Sequence, residues 1–194
     1  MMNETTIRTE DLKGACDVLR RGGLVLYPTD TIWGIGCDAT DAGAVQRVYA
    51  LKQRADRKAM IVLLDSPAKL EAYVEEVPAV AWDLMEVAVQ PLTIVYAGAR
   101  NVASNLPGED GSLGVRITKE AFSSQLCRMF RKPVVSTSAN VSGQPAPALF
   151  REIAEEIRTG VDYVVHYRRD ETTPAKPSGI LKLGAGGLVQ VIRE

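Results

Sequence analysis

Histidine and cysteine are scarce in this sequence of 194 residues, and their scarcity argues against several kinds of site. The three cysteines, Cys16, Cys37 and Cys127, are far apart and form no Cys-x-x-Cys pair, so a zinc site of the usual nitrogen and sulfur type is not expected. Cys16 and Cys127 each lie in an apolar pattern of helical spacing, which predicts buried thiols. The single histidine, His166, ends the apolar run 163–165. We expect it to be a strand residue rather than a catalytic base, because nothing nearby in the sequence would orient it.

Long apolar runs and familiar catalytic signatures are also missing. No stretch approaches the roughly 20 apolar residues that span a bilayer. Residues 1–6 lack the basic start and apolar stretch of a signal peptide, so we expect a cytoplasmic protein. There is no P-loop, no dinucleotide fingerprint and no Ser-His-Asp pattern. The length fits one domain, and we expect residues 1–194 to form it.

Positive charge is concentrated in one short segment. Residues 51–58 read Leu-Lys-Gln-Arg-Ala-Asp-Arg-Lys in a protein whose formal net charge is only −1. Local cations that are compensated elsewhere are typical of a site that holds a polyanion. The alternative is a solvated helix end, where cations favour the helix dipole.

At three further places, polar groups end an apolar strand or directly follow one. They are the run Ser136-Thr137-Ser138-Ala139-Asn140-Val141-Ser142-Gly143, the loop Pro28-Thr29-Asp30-Thr31, and Arg116. Ligands tend to bind beyond the carboxyl ends of buried strands, and these donors and acceptors suit a nucleotide or a small polar ligand. The alternatives are a helix-capping loop, an Asx or Ser/Thr turn, and a surface ion pair, respectively.

Strands and helices interleave without a strict βαβ rhythm, which predicts an α/β (α+β) fold with a twisted mixed sheet flanked by helices. A residue such as Asp41 is a good N-cap for the helix that carries Val45, Val48 and Tyr49. The predicted helices also include stretches within residues 9–21, 67–75, 79–89, 121–130 and 149–157. The predicted strands lie at residues 24–27, 33–36, 60–64, 92–96, 113–117, 133–135 and 162–166, with a final hairpin around 184–187. Residues 168–177 are expected to form a mobile loop.

Six motifs, in this order, resemble the YrdC-like threonylcarbamoyl-AMP synthases over residues 9–192. They are Tyr27-Pro28-Thr29-Asp30-Thr31, Gly34-Ile35-Gly36-Cys37-Asp38, Leu51-Lys52-x-Arg54, Pro91-Leu92-Thr93, Gly114-Val115-Arg116, and the run 136–143.

The resemblance implies a fold, a reaction and a set of site residues. The fold is a twisted sheet with a concave, basic cavity. The reaction condenses L-threonine, bicarbonate and ATP to threonylcarbamoyl-AMP and pyrophosphate, the first step of the t6A modification of tRNA. The product passes to a tRNA-modifying threonylcarbamoyl transferase complex. Mg²⁺ is expected to be held through the ATP phosphates rather than by the protein. The implied catalytic residues are Lys52, Arg54, Ser138 and Asn140; the implied ATP-binding residues are Arg54, Lys58, Ser112, Arg116, Ser136 and Ser138; Thr31 is the implied threonine contact.

The sequence departs from the family pattern at three places. Residues 88–91 read Ala-Val-Gln-Pro where many members have Trp-Pro-Gly-Pro, residues 177–180 read Pro-Ser-Gly-Ile instead of Pro-Ser-Thr-Ile, and Ala146 replaces a common serine. Lys176 and Ser178 are expected to contact phosphate if residues 168–177 close as a lid. The short form is expected, without a long C-terminal extension.

Three other functions stay open at this point. One is an RNA- or nucleotide-binding paralogue with little synthase activity, although a pI near 6.0 argues against a dominant nucleic-acid role. Weak binding of tRNA or double-stranded RNA is compatible with either function. Another is a related carbamoyl transfer, as in the similar portion of hydrogenase-maturation proteins, whose acylphosphatase-like and zinc-finger regions are not found here. The third is a paralogue that has lost most activity.

Overall fold

One mixed sheet of nine strands organises the described part of the molecule, which in this computed structural model comprises residues 6–53, 60–184 and 187–194. The strands are β1 (Val25–Tyr27), β2 (Gly34–Gly36), β3 (Ile61–Leu64), β4 (Leu92–Tyr96), β5 (Leu113–Ile117), β6 (Val134–Ser138), β7 (Tyr163–Val164), β8 (Gly179–Leu183) and β9 (Val189–Arg193). The helices are α1 (Thr9–Arg20), α2 (Ala42–Leu51), α3 (Ala79–Val87), α4 (Ala121–Phe130) and α5 (Glu155–Gly160), with 3₁₀ helices at Pro67–Ala72 and Phe150–Glu152.

The strand order is β7-β1-β2-β6-β3-β5-β4-β8-β9, with parallel pairs at β1/β7, β3/β5 and β4/β8. The other neighbouring pairs are antiparallel. The predicted mixed sheet flanked by helices is confirmed, and so is the closing hairpin of β8 and β9. Residues 185–186 of that hairpin lie outside the described part. No helix within the described ranges is long and apolar enough to cross a membrane.

Side-chain caps determine where two helices begin. Asp41 caps α2 as predicted, because its Oδ1 accepts the backbone N–H of Gly43 at 2.8 Å and of Ala44 at 3.1 Å. The carboxylate of Glu120 does the same for the first turn of α4. Such a cap is worth about 1 kcal/mol. The two caps fix the points at which the chain leaves the sheet for α2 and α4.

The core lies between the sheet and the helices packed on it. Helix α1 contacts α4, and Leu19 and Phe122 are fully buried there. Each side chain of that size contributes about 1.5–3 kcal/mol by burial. Cys16 and Cys127 are buried free thiols, as predicted. Burial raises the pKa of both.

The predicted helix over 149–157 is wrong. The structure has the 3₁₀ helix Phe150–Glu152 and then α5, and the backbone of Ile153 and Ala154 between them is extended. Leu149, Ile153 and Ile157 are nevertheless all buried. The helical spacing of these residues therefore reported burial correctly but not a continuous helix.

Gly36 allows β2 to approach its neighbours closely. A Cβ there would lie 2.6 Å from a ring carbon of Tyr27 and 2.8 Å from the carbonyl oxygen of Val135. Tyr27 is fully buried and its hydroxyl donates to that same oxygen at 3.1 Å, so neither neighbour can retreat freely.

We therefore expect Gly36→Ala to lower the free energy of unfolding by about 1–3 kcal/mol through overpacking. Denaturant unfolding followed by circular dichroism measures this. Gly179→Ala is the matched control in β8, because a Cβ there would have its nearest contact at 3.7 Å. Equal stability of the two variants would contradict the close approach.

Candidate active site

A cavity of about 210 Å³ lies over one face of the central sheet. Polar side chains and arginines from six different strands or loops line it, together with a smaller apolar surface. The lining residues are Thr31, Ile32, Trp33, Gly34, Met60, Ile61, Thr93, Arg116, Ser136, Thr137, Ser138, Ala146, Pro177, Ser178, Ile180 and Arg193. We call this the active-site cavity.

A cross-strand row forms the floor of one half of this cavity. Arg116 of β5 is in register with Thr93 of β4, Thr93 with Ile180 of β8, and Ile180 with Arg193 of β9. Neighbouring strands are about 4.8 Å apart, so the backbones of the two arginines are separated by about 14 Å. Two cations at the ends of a row, with a hydroxyl between them, suit an extended polyanion such as a triphosphate.

Arg116 is held by the loop that follows β1. Its side chain is 4% exposed, and its Nε lies 3.0 Å from Oδ1 of Asp30, whose side chain is 13% exposed. The contact is an ion pair without the alignment of a hydrogen bond. Nη2 of Arg116 also donates to Oγ1 of Thr29 at 3.4 Å. The alternative of a surface ion pair is therefore wrong, because this pair is buried.

Burial shifts both members of the Asp30–Arg116 pair. It raises the pKa of Asp30, and Arg116 opposes that change. It lowers the pKa of Arg116, and Asp30 opposes that change. A guanidinium stays protonated in proteins, so the cavity retains this positive charge.

The loop at residues 28–31 is both a turn and a cavity wall. Oγ1 of Thr29 accepts the N–H of Thr31 at 3.0 Å and donates to the carbonyl oxygen of Ile32 at 2.8 Å, as in a Ser/Thr turn. The hydroxyls of Thr29 and Thr31 are 3.0 Å apart. Thr31 lines the cavity, so the turn presents the hydroxyl implied as the threonine contact.

Lys52 holds the polar segment at residues 136–143 through hydrogen bonds to its backbone. It is 3% exposed, and its Nζ donates to the carbonyl oxygens of Ser138 at 2.5 Å and Asn140 at 2.7 Å. Its own carbonyl accepts the N–H of Ser142 at 2.9 Å. Lys52 is not among the residues that line the cavity. These contacts position the loop, whereas the sequence led us to expect an ammonium facing the reacting anions.

Asn140 also shapes the loop. Its Nδ2 donates to the carbonyl oxygens of Val141 at 3.0 Å and Gln144 at 2.7 Å, while its buried Oδ1 has no hydrogen-bond partner among the described residues. Gly143 follows with φ of +85°, a backbone conformation that favours glycine. Asn140, which was predicted to be catalytic, does not itself line the cavity.

The remaining predicted residues fall into three groups. Ser136, Ser138 and Ser178 line the cavity. Ser112 is buried just before β5 and Lys176 is exposed, and neither lines the cavity. The predicted residues Arg54 and Lys58 lie outside the described residues, as does Arg57.

Three lining or supporting residues were not predicted to act in the site. Thr93 shares a hydrogen bond of 2.9 Å with Ser178, and Nε of Arg193 donates to the carbonyl oxygen of Ser178 at 2.9 Å. Asp30 holds Arg116. A carboxylate between two threonines was a usable signal for Asp30, and Thr93 belongs to a recognised motif. Arg193 comes to the cavity because β8 of the predicted hairpin pairs with β4, and the sequence does not mark that pairing.

The segment at residues 168–177 is attached to the site at its start. Nη1 of Arg168 donates to the carbonyl oxygen of Thr29 at 2.9 Å and lies 3.5 Å from Glu120. Its Nε bonds Glu171 at 2.7 Å. The segment therefore begins next to the loop that holds Arg116.

His166 has a partner that the sequence did not reveal. It follows β7, and buried Asp11 of α1 accepts its backbone N–H at 2.8 Å and lies 3.2 Å from its Nδ1. Tyr163 donates to the same carboxylate at 2.8 Å. The prediction of a strand residue with no orienting neighbour is wrong, because α1 folds back across the end of β7. His166 does not line the active-site cavity.

Comparisons with known proteins agree on one family. The Sua5/YciO/YrdC family model, described as "Telomere recombination", matches residues 17–194. A Vibrio cholerae protein named threonylcarbamoyl-AMP synthase is 36% identical over 159 residues, which is 80% of this chain and 85% of that protein. A protein of the same name from Pseudoalteromonas translucida is 32% identical over 157 residues, 79% of this chain and 84% of that one.

A solved structure gives the same fold. The crystal structure of P. abyssi Sua5 complexed with L-threonine is 25% identical to this chain, with a TM-score of 0.85. The match covers 97% of this chain and 55% of the P. abyssi chain. This chain therefore spans little more than half of that protein.

Proposed function

Because this chain belongs to the Sua5/YciO/YrdC family, we propose that it is an L-threonylcarbamoyladenylate synthase. The reaction condenses L-threonine, bicarbonate and ATP to threonylcarbamoyl-AMP and pyrophosphate. The observation that carries this proposal is the row from Arg116 through Thr93 to Arg193 on the floor of a cavity whose other walls present serine and threonine hydroxyls.

The central step joins two anions. An oxygen of threonine carbamate attacks the α-phosphorus of ATP, a new phosphorus–oxygen bond forms, and pyrophosphate leaves with the electrons of the bond that breaks. Cations fixed before the reaction offset the repulsion, and each charge-assisted hydrogen bond is worth about 1.5–3 kcal/mol. We assign this role to Arg116 and Arg193, which both line the cavity. The carbamate oxygen is already a nucleophile, so this step needs no histidine.

Different walls of the active-site cavity are assigned to different substrates. Ser136 and Ser138 lie in the C-terminal half of β6, and Thr31 lines the same cavity from the β1–β2 loop. We assign the hydroxyls of Ser136 and Ser138 to the nucleotide and Thr31 to threonine. Lys52 and Asn140 hold the loop that carries Ser138.

Mg²⁺ enters this proposal as part of the ATP substrate. The cavity walls supply hydroxyls and guanidiniums, and within the described residues no cluster of three or more histidine, cysteine or acidic side chains could hold the ion. These groups fit a triphosphate that brings its own Mg²⁺, bound by phosphate oxygens and water.

The proposal extends to where the product goes. The mixed anhydride is labile in water, so it must pass to a threonylcarbamoyl transferase that acts on tRNA. We place the enzyme in the cytoplasm because both ATP and tRNA are found there. Direct tRNA contact is tested by a salt titration of binding, since many phosphate contacts give a steep slope.

Pyrophosphate release should require all three substrates. Omitting bicarbonate or threonine should abolish release, because no carbamate oxygen then exists to attack. Serine lacks the methyl of threonine, and its kcat/KM should be lower by a factor that corresponds to about 1–3 kcal/mol. Valine lacks the hydroxyl, and its kcat/KM should be lower than that of serine. Mass spectrometry should detect threonylcarbamoyl-AMP. Arg116→Ala prepared in parallel controls for contaminating ATPases, and release that ignores the amino acid would refute the synthase.

A paralogue with little synthase activity is the competing function, and Ala146 is the observation that favours it. Its methyl lines the cavity at the position where related sequences carry a serine hydroxyl. A missing hydrogen bond to ATP costs about 0.5–1.5 kcal/mol.

We expect Ala146→Ser to lower the KM for ATP by about threefold to tenfold, in line with one neutral hydrogen bond. Steady-state kinetics over a range of ATP concentrations measures this. Ala148→Ser, at a residue of the same loop that does not line the cavity, is the control and should leave KM unchanged. A full rate in the wild type with no response to Ala146→Ser would remove the support for a weakened paralogue.

A further inference from the structure

A second cavity, of about 180 Å³, lies on the opposite face of the same strands. Leu92, Ile94 and Tyr96 of β4 and Val115 and Ile117 of β5 line it. These residues alternate with Thr93 and Arg116, which line the active-site cavity. Because successive side chains of a strand point to opposite faces, the two cavities lie back to back across the sheet.

The second cavity is apolar along its length and charged at one end. Asp30 and Lys119 are the acidic and the basic residue that line it. Asp30 contacts Arg116 near the end of β5, and Lys119 follows that strand by two residues, so both lining charges lie near the end of β5. The lining of the second cavity therefore combines one carboxylate and one ammonium with a mainly apolar surface.

The rim of the second cavity, which we call its lip, exposes apolar side chains. Residues 88–91, which depart from the family's Trp-Pro-Gly-Pro, form this lip. Val89 lines the cavity and is 92% exposed, and neighbouring Val87 is 70% exposed. Exposed apolar residues at the rim of a cavity are typical of a binding site.

We propose that the second cavity binds a free amino acid with an apolar side chain, distinct from the substrate in the active-site cavity. The ammonium of the amino acid would pair with Asp30 and its carboxylate with Lys119. Its side chain would lie in the second cavity, against the apolar side chains of β4 and β5. A zwitterion matches both charges, whereas a simple amine or a simple carboxylate matches one and meets the other as a like charge.

Asp30 couples the two cavities. The carboxylate that would meet the ligand's ammonium is the one that holds Arg116 from the other side. An added cation at Asp30 weakens its hold on Arg116. This coupling rests on the proposed function, and it predicts that the ligand raises the KM of the synthase for its substrates.

Methyl NMR with leucine as the probe tests binding directly. Leucine should shift the methyl signals of Met85, Ile94 and Ile117, which line or face the second cavity, and leave Ile61 and Ile180 of the active-site cavity unchanged. Isoamylamine and 4-methylpentanoate, which each carry one of leucine's charges, should bind at least about tenfold more weakly, as expected when a charge pair is lost.

Two variants and their matched controls test the location. Ala88→Phe fills the lip and should abolish the shifts, whereas Ala68→Phe, on the nearby 3₁₀ helix outside the lining, should not. Lys119→Ala should weaken leucine binding by about fivefold or more through loss of the charge contact, whereas Lys13→Ala on α1 should not.

Three results would overturn this inference. One is the absence of shifts at up to 50 mM leucine, taken as roughly the weakest affinity of interest for a specific site. Another is a set of shifts confined to the active-site cavity. The last is equal binding of the amine or the acid. Pyrophosphate release without leucine tests the proposed synthase separately, so the two proposals can fail independently.

Discussion

Replacing Lys52 by methionine should reduce kcat/KM by about a hundredfold or more, although Lys52 does not line the active-site cavity. The ammonium donates to the carbonyl oxygens of Ser138 and Asn140. Methionine fills a similar space but donates to neither carbonyl, so the carbonyl of Asn140 loses its charged donor and that of Ser138 keeps the N–H of Asn140 at 2.9 Å. The loop would then shift, and a misplacement of about 1 Å can cost a hundredfold.

The same substitution should destabilise the protein. Hydrogen bonds to a charged group are worth about 1.5–3 kcal/mol each, so we expect a loss of about 3 kcal/mol in the free energy of unfolding. Kinetics must be recorded at a temperature where circular dichroism shows the variant to be folded. Lys69→Met, which removes a partly exposed lysine paired with Asp65, is the control and should change neither quantity greatly.

Activity within tenfold of wild type in a folded Lys52→Met protein would contradict this prediction. It would mean that the loop keeps its position without the two bonds. Lys52→Arg adds a further check, because a planar guanidinium does not fit the two carbonyls as a compact ammonium does and should not restore the rate.

Arg116→Ala should abolish most synthase activity and also destabilise the fold. The substitution removes one of the two arginines at the ends of the cross-strand row in the active-site cavity. The loss of such a cation is expected to lower kcat by about a hundredfold to a thousandfold. The substitution also leaves the buried carboxylate of Asp30 without its partner, which costs about 3–5 kcal/mol when a buried pair is broken. Kinetics and thermal unfolding measure the two effects separately.

The double variant Asp30→Asn/Arg116→Ala separates the two causes. Neutralising Asp30 should recover most of the lost stability and none of the activity. Recovery of activity in the double variant would show that Arg116 serves only to neutralise Asp30.

The stability of Arg116→Ala should also depend on pH. Burial raises the pKa of Asp30 and Arg116 is the strongest opposing influence, so without the arginine that pKa rises further above that of an ordinary aspartate. A carboxyl whose pKa is raised by folding makes the folded state bind more protons, so stability falls as pH rises through that range. The deficit in melting temperature should therefore shrink in acid, and a deficit independent of pH would mean that Asp30 is not the cause.

The Asp30–Arg116 pair links the two proposals for this protein. It closes one wall of the active-site cavity through Arg116 and one end of the second cavity through Asp30. A ligand on one face of the sheet can therefore change a cation on the other without a large conformational change.

The sequence by itself determined the elements with strong local signals. Asp41 caps α2, and the apolar runs at residues 92–96 and 113–117 form the strands predicted there, because N-caps and buried strands depend on near neighbours in the chain. Helical spacing failed at residues 149–157, because apolar periodicity reports which residues are buried and the backbone can bury them without one continuous helix.

The tertiary structure alone decided how the site is assembled. The motifs indicated which residues to consider, but the register of β5, β4, β8 and β9 aligned Arg116 with Arg193. The fold also turned Lys52 toward two carbonyls and brought Asp30 to Arg116 across 86 positions of sequence. Such contacts depend on which strands become neighbours, and pairing between distant segments leaves no local pattern in the chain.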